Sequence, residues 1–284
     1  MHEVKTVGVV GGGQMGGGIA QIAAQAGFET VLFDAFPGSL EKAQATHKKL
    51  LARAVEKGKI EQADADAALG RITYSPEIAK VSACDIVIEA VTEDSGVKKK
   101  VFAELAGLAS DQQILATNTS SISITELATS VGVHAERFIG MHFFYPVPVM
   151  KLVEVISGLE TSEATTKRTI ALAEAFGKTA LPANDRAGFV SNRVLMPMIN
   201  EAFYAWMEGV AEPEDLDGIM KLGCNFPMGP LRLADFIGLD TCAHIMDVLA
   251  EGLNSERYRP CPLLRQLVTA GRLGDKSGRG VFEY

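Results

Sequence analysis

The feature that constrains this chain most is a glycine-rich turn between two apolar segments. Residues 6–10 are a short apolar run, which is typical of a strand buried on both faces. Gly11, Gly13 and Gly16 follow in the spacing G-x-G-x-x-G, and a small apolar helix then leads to a second buried strand that ends at Asp34. This order of strand, turn, helix and strand predicts the first βαβ unit of a parallel sheet.

The turn has the residues that dinucleotide binding requires. Gly11 permits the tight turn, Gly13 lets the backbone approach a pyrophosphate, and Gly16 lets the helix pack closely on the strand. N–H groups at the start of the helix face the phosphates, and Asp34 can accept hydrogen bonds from a ribose 2′-OH. The alternative, a loop that only makes a turn, does not account for the surrounding pattern. The predicted dinucleotide contacts of this unit are Gly11, Gly13, Gln14, Met15, Gly16 and Asp34.

Composition excludes several classes of partner. The 284 residues suffice for two domains, and a net charge of −8 does not attract nucleic acid or anionic lipid. Met1 leads into the first strand within a few residues, and no apolar run approaches membrane-spanning length, so we expect a cytoplasmic chain without a leader or a membrane span. The cysteines form no C-x-x-C pair, which indicates reduced thiols. No group of His, Cys and acidic residues has metal-site spacing, so no metal is predicted.

A charged helical segment follows the second strand. Residues 38–69 are helix-forming, and the pattern breaks at Gly58, which predicts a helical hairpin inserted before the next strand. Arg53, Lys57 and Lys59 cluster near its turn in an otherwise acidic chain. A solvated helix face and a handle for a phosphorylated ligand explain this cluster equally well.

Polar side chains collect where the remaining predicted strands end. These strands are residues 72–74, 85–91, 114–116, 138–141, 153–156 and 179–182, and helices alternate with most of them. Ligands of open α/β sheets bind outside the carboxyl ends of strands. We therefore expect the ligand site at the edge that carries Asp34, Glu93, Asn118, Ser120 and His142.

Strand signals fade near residue 188, and the rest of the chain has helical patterns. The predicted helices are residues 192–209, 214–222, 231–253 and 263–270, with the third interrupted at Gly238. The fold class is therefore an α/β Rossmann-type dinucleotide-binding domain with a helical hairpin insertion (residues 1–186), followed by an all-α C-terminal domain (residues 187–284). The apolar run at residues 195–199 favours burial against a second subunit.

His142 differs from the other histidines by its place at a strand end on the expected ligand edge. Pro146 and Pro148 break the chain after it, and the returning strand can bring Glu154 beside it. A carboxylate beside an imidazole fixes its tautomer and stabilises its charged form, as a general base needs. Glu154 within an apolar strand is costly unless it is paired. A catalytic pair and a buried structural pair are equally compatible with the sequence.

Ser120 and Asn192 are neutral candidates for holding a substrate oxygen. Either side chain can donate a hydrogen bond to a carbonyl oxygen as charge develops there. Each can also be a helix N-cap, which is the interpretation that composition alone favours.

Six stretches of the sequence carry a family resemblance that spans both domains. They are GGGQMGGGIAQ, ATNTSSISITELA, GMHFFYPVPVMKLVEVI, GFVSNRVLMPMINEA, KLGCNFPMGPLRLADFIGLD and GDKSGRGVFEY. The whole chain resembles the bacterial short-chain L-3-hydroxyacyl-CoA dehydrogenases, often called 3-hydroxybutyryl-CoA dehydrogenases. The resemblance implies a reversible NAD-dependent oxidation of (S)-3-hydroxyacyl-CoA, with 3-hydroxybutanoyl-CoA and acetoacetyl-CoA as the short-chain pair. It also implies a homodimer formed through the helical domain.

The resemblance assigns roles residue by residue. His142 matches the catalytic base, Glu154 its carboxylate partner, and Ser120 and Asn192 the contacts of the substrate oxygen. Lys57 lies in the hairpin that matches the arm reaching the nucleotide end of coenzyme A. The further positions that match NAD contacts are Glu93, Lys98, Asn118, Ser120, His142 and Lys276.

The sequence departs from the family pattern at two places. Tyr145 stands where the family usually has asparagine, so rate or acyl preference can differ. Asp94 and Ser95 stand where the family commonly has asparagine and an apolar residue, which affects the cofactor loop. Two rival functions are a dehydrogenase of a small 3-hydroxy acid without coenzyme A, of gulonate or carnitine type, and a non-catalytic NAD-binding protein of crystallin type. The basic hairpin argues against the first, and the intact catalytic set argues against the second.

Overall fold

An eight-stranded sheet forms the centre of the N-terminal part of the molecule. The structure is a computed structural model that describes residues 4–284, so residues 1–3 of the predicted first domain lie outside the described residues. The chain divides into two compact units, Met1–Asp185 and Arg186–Tyr284. The sequence places the division one residue later, between residues 186 and 187.

In the part of the chain that the structure describes, no helix has the length and apolar character needed to cross a membrane.

The order in which strands are added to the sheet reverses at β1: β2 and β3 lie on one side of it, and β4 to β8 lie on the other. Its spatial order is β3-β2-β1-β4-β5-β6-β7-β8, with all neighbouring strands parallel except the antiparallel pair β6–β7. A crevice for a ligand is expected where the order reverses, outside the carboxyl ends of β1 and β4. The strands are β1 (Thr6–Val10), β2 (Glu29–Phe33), β3 (Ile72–Ser75), β4 (Ile86–Glu89), β5 (Ile114–Thr117), β6 (Phe138–Phe143), β7 (Leu152–Ser157) and β8 (Thr179–Asn184).

Helices pack against this sheet because its central strands are apolar on both faces. Val7, Val9, Ile86 and Ile88 of β1 and β4 are fully buried, and each such side chain contributes about 1.5–3 kcal/mol on burial. A 3₁₀ helix also spans Gly132–Arg137. The helices of this unit are α1 (Gln14–Gln25), α2 (Pro37–Glu56), α3 (Gln62–Gly70), α4 (Ile78–Ser82), α5 (Ser95–Leu108), α6 (Ile124–Ala128) and α7 (Glu163–Ala175).

Most predicted elements of this unit are present, but several bounds differ and two short helical elements were not predicted. The strand predicted for residues 85–91 covers only Ile86–Glu89, the one predicted for 179–182 extends to Asn184, and the 3₁₀ helix Gly132–Arg137 was not predicted. The helical hairpin is confirmed as α2 and α3, which are separated by a turn around Gly58. The five-residue helix α4 was not predicted, because a segment this short shows no helical periodicity. The strand predicted for residues 138–141 runs on through His142 to Phe143, because Phe143 still pairs with Val153 of β7.

The second unit is helical, and prolines start several of its helices. A proline occupies the first turn of α9, α10 and α12, where its missing N–H has no intrahelical partner to lose. The predicted interruption at Gly238 is confirmed, since α10 ends at Ile237 and α11 begins at Leu239. The helices are α8 (Ser191–Met207), α9 (Pro213–Gly223), α10 (Pro230–Ile237), α11 (Leu239–Gly252) and α12 (Pro262–Thr269).

Candidate active site

The glycine turn after β1 has the shape of a cradle for a pyrophosphate. Gly11 has φ +110°, and a Cβ there would lie 2.6 Å from the carbonyl oxygen of Ala90. A Cβ on Gly16 would lie 1.9 Å from the carbonyl oxygen of Gly11, so only glycine fits. A Cβ on Gly13 would meet no atom within 4 Å, which leaves that position open to a ligand. The residues present therefore fit a dinucleotide.

Helix α1 presents open N–H groups to the same cradle. It begins at Gln14, and its N-cap, Gly13, has no side chain to occupy the first N–H groups. Gln14 and Met15 lie in this first turn, as the sequence predicted. A helix N-terminus without a side-chain cap favours an anion such as a phosphate.

Asp34 holds the glycine turn and the start of α2 together. Its Oδ2 accepts the Gly12 N–H at 2.7 Å, and its Oδ1 accepts the Phe36 N–H at 2.8 Å. A carboxylate has about four acceptor positions, so capacity remains for a ribose hydroxyl. The same negative charge would repel the 2′-phosphate of NADP(H).

Replacing Asp34 by alanine is expected to lower the ratio of the NADPH dissociation constant to the NADH dissociation constant by about tenfold. The reason is that the substitution removes a like charge next to the 2′-phosphate of NADPH. Dissociation constants for both cofactors, measured by fluorescence titration, give this ratio. Asp34→Asn is the matched variant, since it keeps an acceptor for the Gly12 N–H but not the charge. Equal affinity of the unmodified protein for NADH and NADPH would contradict the assignment.

Glu93 organises the loop that contains Ser120. Its Oε1 accepts the Thr119 hydroxyl at 2.6 Å and the Ser120 N–H at 2.8 Å, and the N–H and hydroxyl of Ser121 lie at 3.1 and 3.2 Å. The Ser120 hydroxyl also donates to this oxygen, at 3.1 Å. The predicted alternative for Ser120, a helix N-cap, is wrong, because the N-cap of α6 is Ser123.

The charge state of Glu93 follows from competing effects. Burial raises its pKa, but Lys98 and the donors from Thr119 and Ser120 outweigh burial, so the pKa lies below its usual value. A folded pKa below the unfolded one means that this carboxylate stabilises the fold above the unfolded pKa. That contribution is lost as the pH falls through the folded pKa.

Lys98 and Asn118 are both engaged with the protein itself. The Lys98 side chain is 1% exposed, and its Nζ lies 2.6 Å from Glu89 Oε1 and 3.4 Å from Glu93 Oε2. Asn118 follows β5, and its Oδ1 accepts the Phe143 N–H at 2.9 Å. Asn118 therefore braces the end of the strand that carries His142.

The predicted pairing of His142 with Glu154 is confirmed. The two residues lie opposite each other in the antiparallel register of β6 and β7, and His142 Nδ1 is 2.7 Å from Glu154 Oε2. Both side chains are buried, and the Phe144 ring lies with its centroid 4.5 Å from that of His142. A carboxylate at Nδ1 holds a proton there, so in the neutral imidazole Nε2 carries the lone pair that can accept a proton.

The second unit holds two of the predicted site residues. Asn192 is buried in the first turn of α8. Its alternative interpretation as an N-cap is wrong, because Val190 occupies that position. Lys276 lies in a 3₁₀ turn over Asp275–Ser277, with its Nζ 2.6 Å from Asp240 Oδ1.

The cationic cluster of the hairpin lies at the C-terminal end of α2. Arg53 is in its last turn and Lys57 is its C-cap residue. Arg53, Lys57 and Lys59 are all exposed. Exposed cationic side chains are compatible both with a solvated helix face and with a binding site for phosphate groups.

Glu89 is a buried acid that contacts Lys98, and the sequence assigned it no role. It ends β4, and its Oε2 accepts the Thr117 hydroxyl at 2.7 Å while its Oε1 accepts from Lys98. Burying an acidic side chain in an apolar strand costs free energy unless the acid is paired, and this argument predicted a partner for Glu154. The same argument, applied to Glu89 at the end of the apolar strand β4, would have predicted a partner for Glu89 as well.

Family models and known proteins match the chain over almost its full length. A model described as the NAD-binding domain of 3-hydroxyacyl-CoA dehydrogenase matches residues 6–186, and one for the C-terminal domain matches residues 188–284. A probable 3-hydroxybutyryl-CoA dehydrogenase of Bacillus subtilis is 55% identical over 99% of this chain and 98% of its own length.

Two further comparisons bear on structure and on substrate range. The crystal structure of (S)-3-hydroxybutyryl-CoA dehydrogenase from Ralstonia eutropha is 48% identical, with a TM-score of 0.97 over 99% of both chains. A 3-hydroxyadipyl-CoA dehydrogenase of Escherichia coli is 41% identical over 100% of this chain, which spans 60% of that protein.

Proposed function

Because the chain belongs to the 3-hydroxyacyl-CoA dehydrogenase family, we propose that it interconverts (S)-3-hydroxybutanoyl-CoA and acetoacetyl-CoA with NAD as cofactor. Relatives that carry the name 3-hydroxybutyryl-CoA dehydrogenase support the short-chain substrate. The observation that carries the proposal is the His142–Glu154 pair, which lies on the same edge of the sheet as the dinucleotide cradle.

The proton chemistry belongs to His142 and Glu154. Bound NAD supplies the hydride acceptor for C3 of the hydroxyacyl group. His142 Nε2 takes the proton from the C3 hydroxyl, and the Glu154 carboxylate stabilises the imidazolium that forms. In the reverse direction the imidazolium returns the proton to the oxygen of the 3-oxo group. The buried setting of both side chains and the Phe144 ring keep water from the pair.

Ser120 and Asn192 hold the substrate oxygen in this proposal. To donate to the substrate, the Ser120 hydroxyl hydrogen turns away from Glu93 Oε1. That oxygen still has donors from Thr119 and Ser121 and from the Ser120 backbone, so the turn costs little. The amide of Asn192 supplies a second donor, which strengthens as charge develops on the oxygen.

Oxidation of NADH on addition of acetoacetyl-CoA tests this function directly. Absorbance at the NADH band should fall with acetoacetyl-CoA and remain constant with free acetoacetate. Turnover of the free acid at the rate of the thioester would instead favour the small-acid dehydrogenase. Binding of NADH without turnover of either compound would favour the non-catalytic protein.

We propose that the exposed cluster of Arg53, Lys57 and Lys59 holds the phosphates of coenzyme A. Replacing Lys57 and Lys59 by glutamine should raise KM for acetoacetyl-CoA, by up to about fivefold for each residue, since an exposed ionic contact contributes 1 kcal/mol or less. KM for NADH should stay unchanged, and added salt should erase the difference. Lys167, an exposed lysine on α7, is the control. A KM for acetoacetyl-CoA that is insensitive both to these changes and to salt would contradict this role.

A homodimer formed through the helical unit and a cytoplasmic location complete the proposal. Large apolar side chains on α8 and α9 support the dimer: Val194, Ile219 and Leu222 are 68%, 63% and 89% exposed. Apolar surface of this kind favours burial against a second copy. The molar mass in solution, determined by light scattering, distinguishes a dimer from a monomer.

A further inference from the structure

Glu89 is a fully buried carboxylate beside the proposed active site. Its side chain is 0% exposed, and its neighbours are groups of the protein itself. Three donors satisfy it: Lys98 Nζ at 2.6 Å, the Val91 N–H at 2.7 Å and the Thr117 hydroxyl at 2.7 Å. The carboxylate is therefore held from three directions, by β5, by α5 and by the chain just after β4.

Lys98 links Glu89 to the Ser120 loop. Its Nζ is 2.6 Å from Glu89 Oε1 and 3.4 Å from Glu93 Oε2, with the Val91 carbonyl oxygen at 3.5 Å. These acceptors surround an ammonium group that is 1% exposed. Glu93 then gathers the donors of residues 119–121 on its other oxygen. A continuous series of polar contacts thus runs from Glu89 through Lys98 and Glu93 to Ser120.

Fold stability alone does not explain the buried ion pair of Glu89 and Lys98. One carboxylate and one ammonium lose their hydration here, while the Glu93 side chain stays 30% exposed. Replacing such a buried pair by apolar side chains of similar volume is commonly neutral or stabilising for a fold. The arrangement does fix the position of Glu93. Lys98 cannot swing away from Glu93, because the Glu89 contact and the burial of its stem hold it in place.

We propose that Glu89 is a positioning residue, which fixes Lys98 so that Lys98 fixes Glu93 and Glu93 fixes the Ser120 loop. This inference rests on the proposed function only for the role of Ser120 at the substrate oxygen. Without the Glu89 charge, Lys98 moves toward Glu93, its remaining counter-ion. Glu93 and the Ser120 loop then lose their fixed geometry, which matters because small misplacements of a catalytic group are costly.

The test compares Glu89→Gln with Glu126→Gln. Glu126 has the same kinds of donor, Lys99 Nζ at 2.8 Å and the Ser95 hydroxyl at 2.6 Å, but it is exposed. Turnover per folded enzyme, well below the melting temperature, should fall about tenfold or more in Glu89→Gln and stay unchanged in Glu126→Gln. Turnover is measured at saturating NADH, so that a change in cofactor affinity through Glu93 or Lys98 does not enter the comparison. Unchanged turnover per folded Glu89→Gln enzyme would overturn the proposal.

A second comparison separates positioning from folding. Lys98→Met leaves Glu89 buried without a counter-ion, which should lower the melting temperature strongly. The double variant Glu89→Gln/Lys98→Met removes both charges and should recover much of that melting temperature, yet turnover should stay low because Glu93 has lost its anchor. Recovery of turnover together with melting temperature would show a purely structural role and would overturn the proposal.

A further variant keeps the charges of Glu89, Lys98 and Glu93, so the proposal can still be tested if Glu89→Gln does not fold. Thr117→Val removes the hydroxyl that donates to Glu89 Oε2 at 2.7 Å and that accepts the Thr119 N–H at 3.2 Å. It therefore weakens the hold on Glu89 and on the start of the Ser120 loop together, and we expect a smaller loss of turnover, of about two- to fivefold. No loss at all in this variant would count against the proposal. The inference also fails separately from the proposed function, since His142→Gln tests the proton chemistry without disturbing the Glu89 contacts.

Discussion

Replacing His142 by glutamine is expected to lower kcat for acetoacetyl-CoA reduction by about 10²–10⁴-fold, the usual contribution of a general acid or base. Glutamine keeps much of the size and can donate to Glu154 Oε2, which lies 2.7 Å from His142 Nδ1. It cannot carry a proton to the substrate oxygen. The dissociation constant for NADH should remain near that of the unmodified protein, because the cofactor cradle is made by the turn after β1.

Steady-state kinetics in both directions and NADH titration check this expectation. Oxidation needs the neutral imidazole, so its rate should fall as the pH is lowered. Reduction needs the imidazolium, so its rate should fall as the pH is raised. Both dependences should vanish from the residual activity of His142→Gln. His244→Gln, which changes an exposed histidine of α11, is the control. Near-normal turnover of His142→Gln in both directions would refute the mechanism.

Replacing Glu154 by glutamine is expected to lower kcat by about 10–100-fold in both directions. A hydrogen bond to a charged group contributes about 1.5–3 kcal/mol, and each 1.4 kcal/mol changes a rate about tenfold. The amide group of glutamine can also donate to Nδ1, which would place the imidazole proton on Nε2 and prevent it from accepting the substrate proton. The effect is therefore on the chemical step and not on cofactor affinity.

Glu154→Asp provides the matched comparison for this prediction. It keeps the charge and shortens the side chain, so it should retain more turnover than Glu154→Gln. Pre-steady-state measurement of the first turnover separates the chemical step from product release. Wild-type turnover in Glu154→Gln would show that the pair has only a structural role, which is the alternative that the sequence left open.

Local features of the sequence determined much of the dinucleotide-binding architecture. The G-x-G-x-x-G turn could be interpreted from sequence because its demands are local: a backbone with φ +110° at Gly11 and room for no side chain at Gly16. The apolar strands and the break of the hairpin at Gly58 were predicted for the same reason, since periodicity and helix ends depend on neighbours along the chain. Chain order and the binding of ligands at the carboxyl ends of strands then predicted the edge of the sheet at which a ligand binds.

Contacts between residues distant in sequence were decided only by the tertiary structure. The sequence could suggest that Glu154 returns to His142, but the register of β6 and β7 sets their distance. The burial of Lys98 between Glu89 and Glu93, and the donors from Ser120 to Glu93, depend on the packing of β4, β5 and α5. Side chains this far apart along the chain meet only after the sheet has assembled, and whether a charged group is buried, paired or free to bind depends on all the neighbours that assembly brings to it.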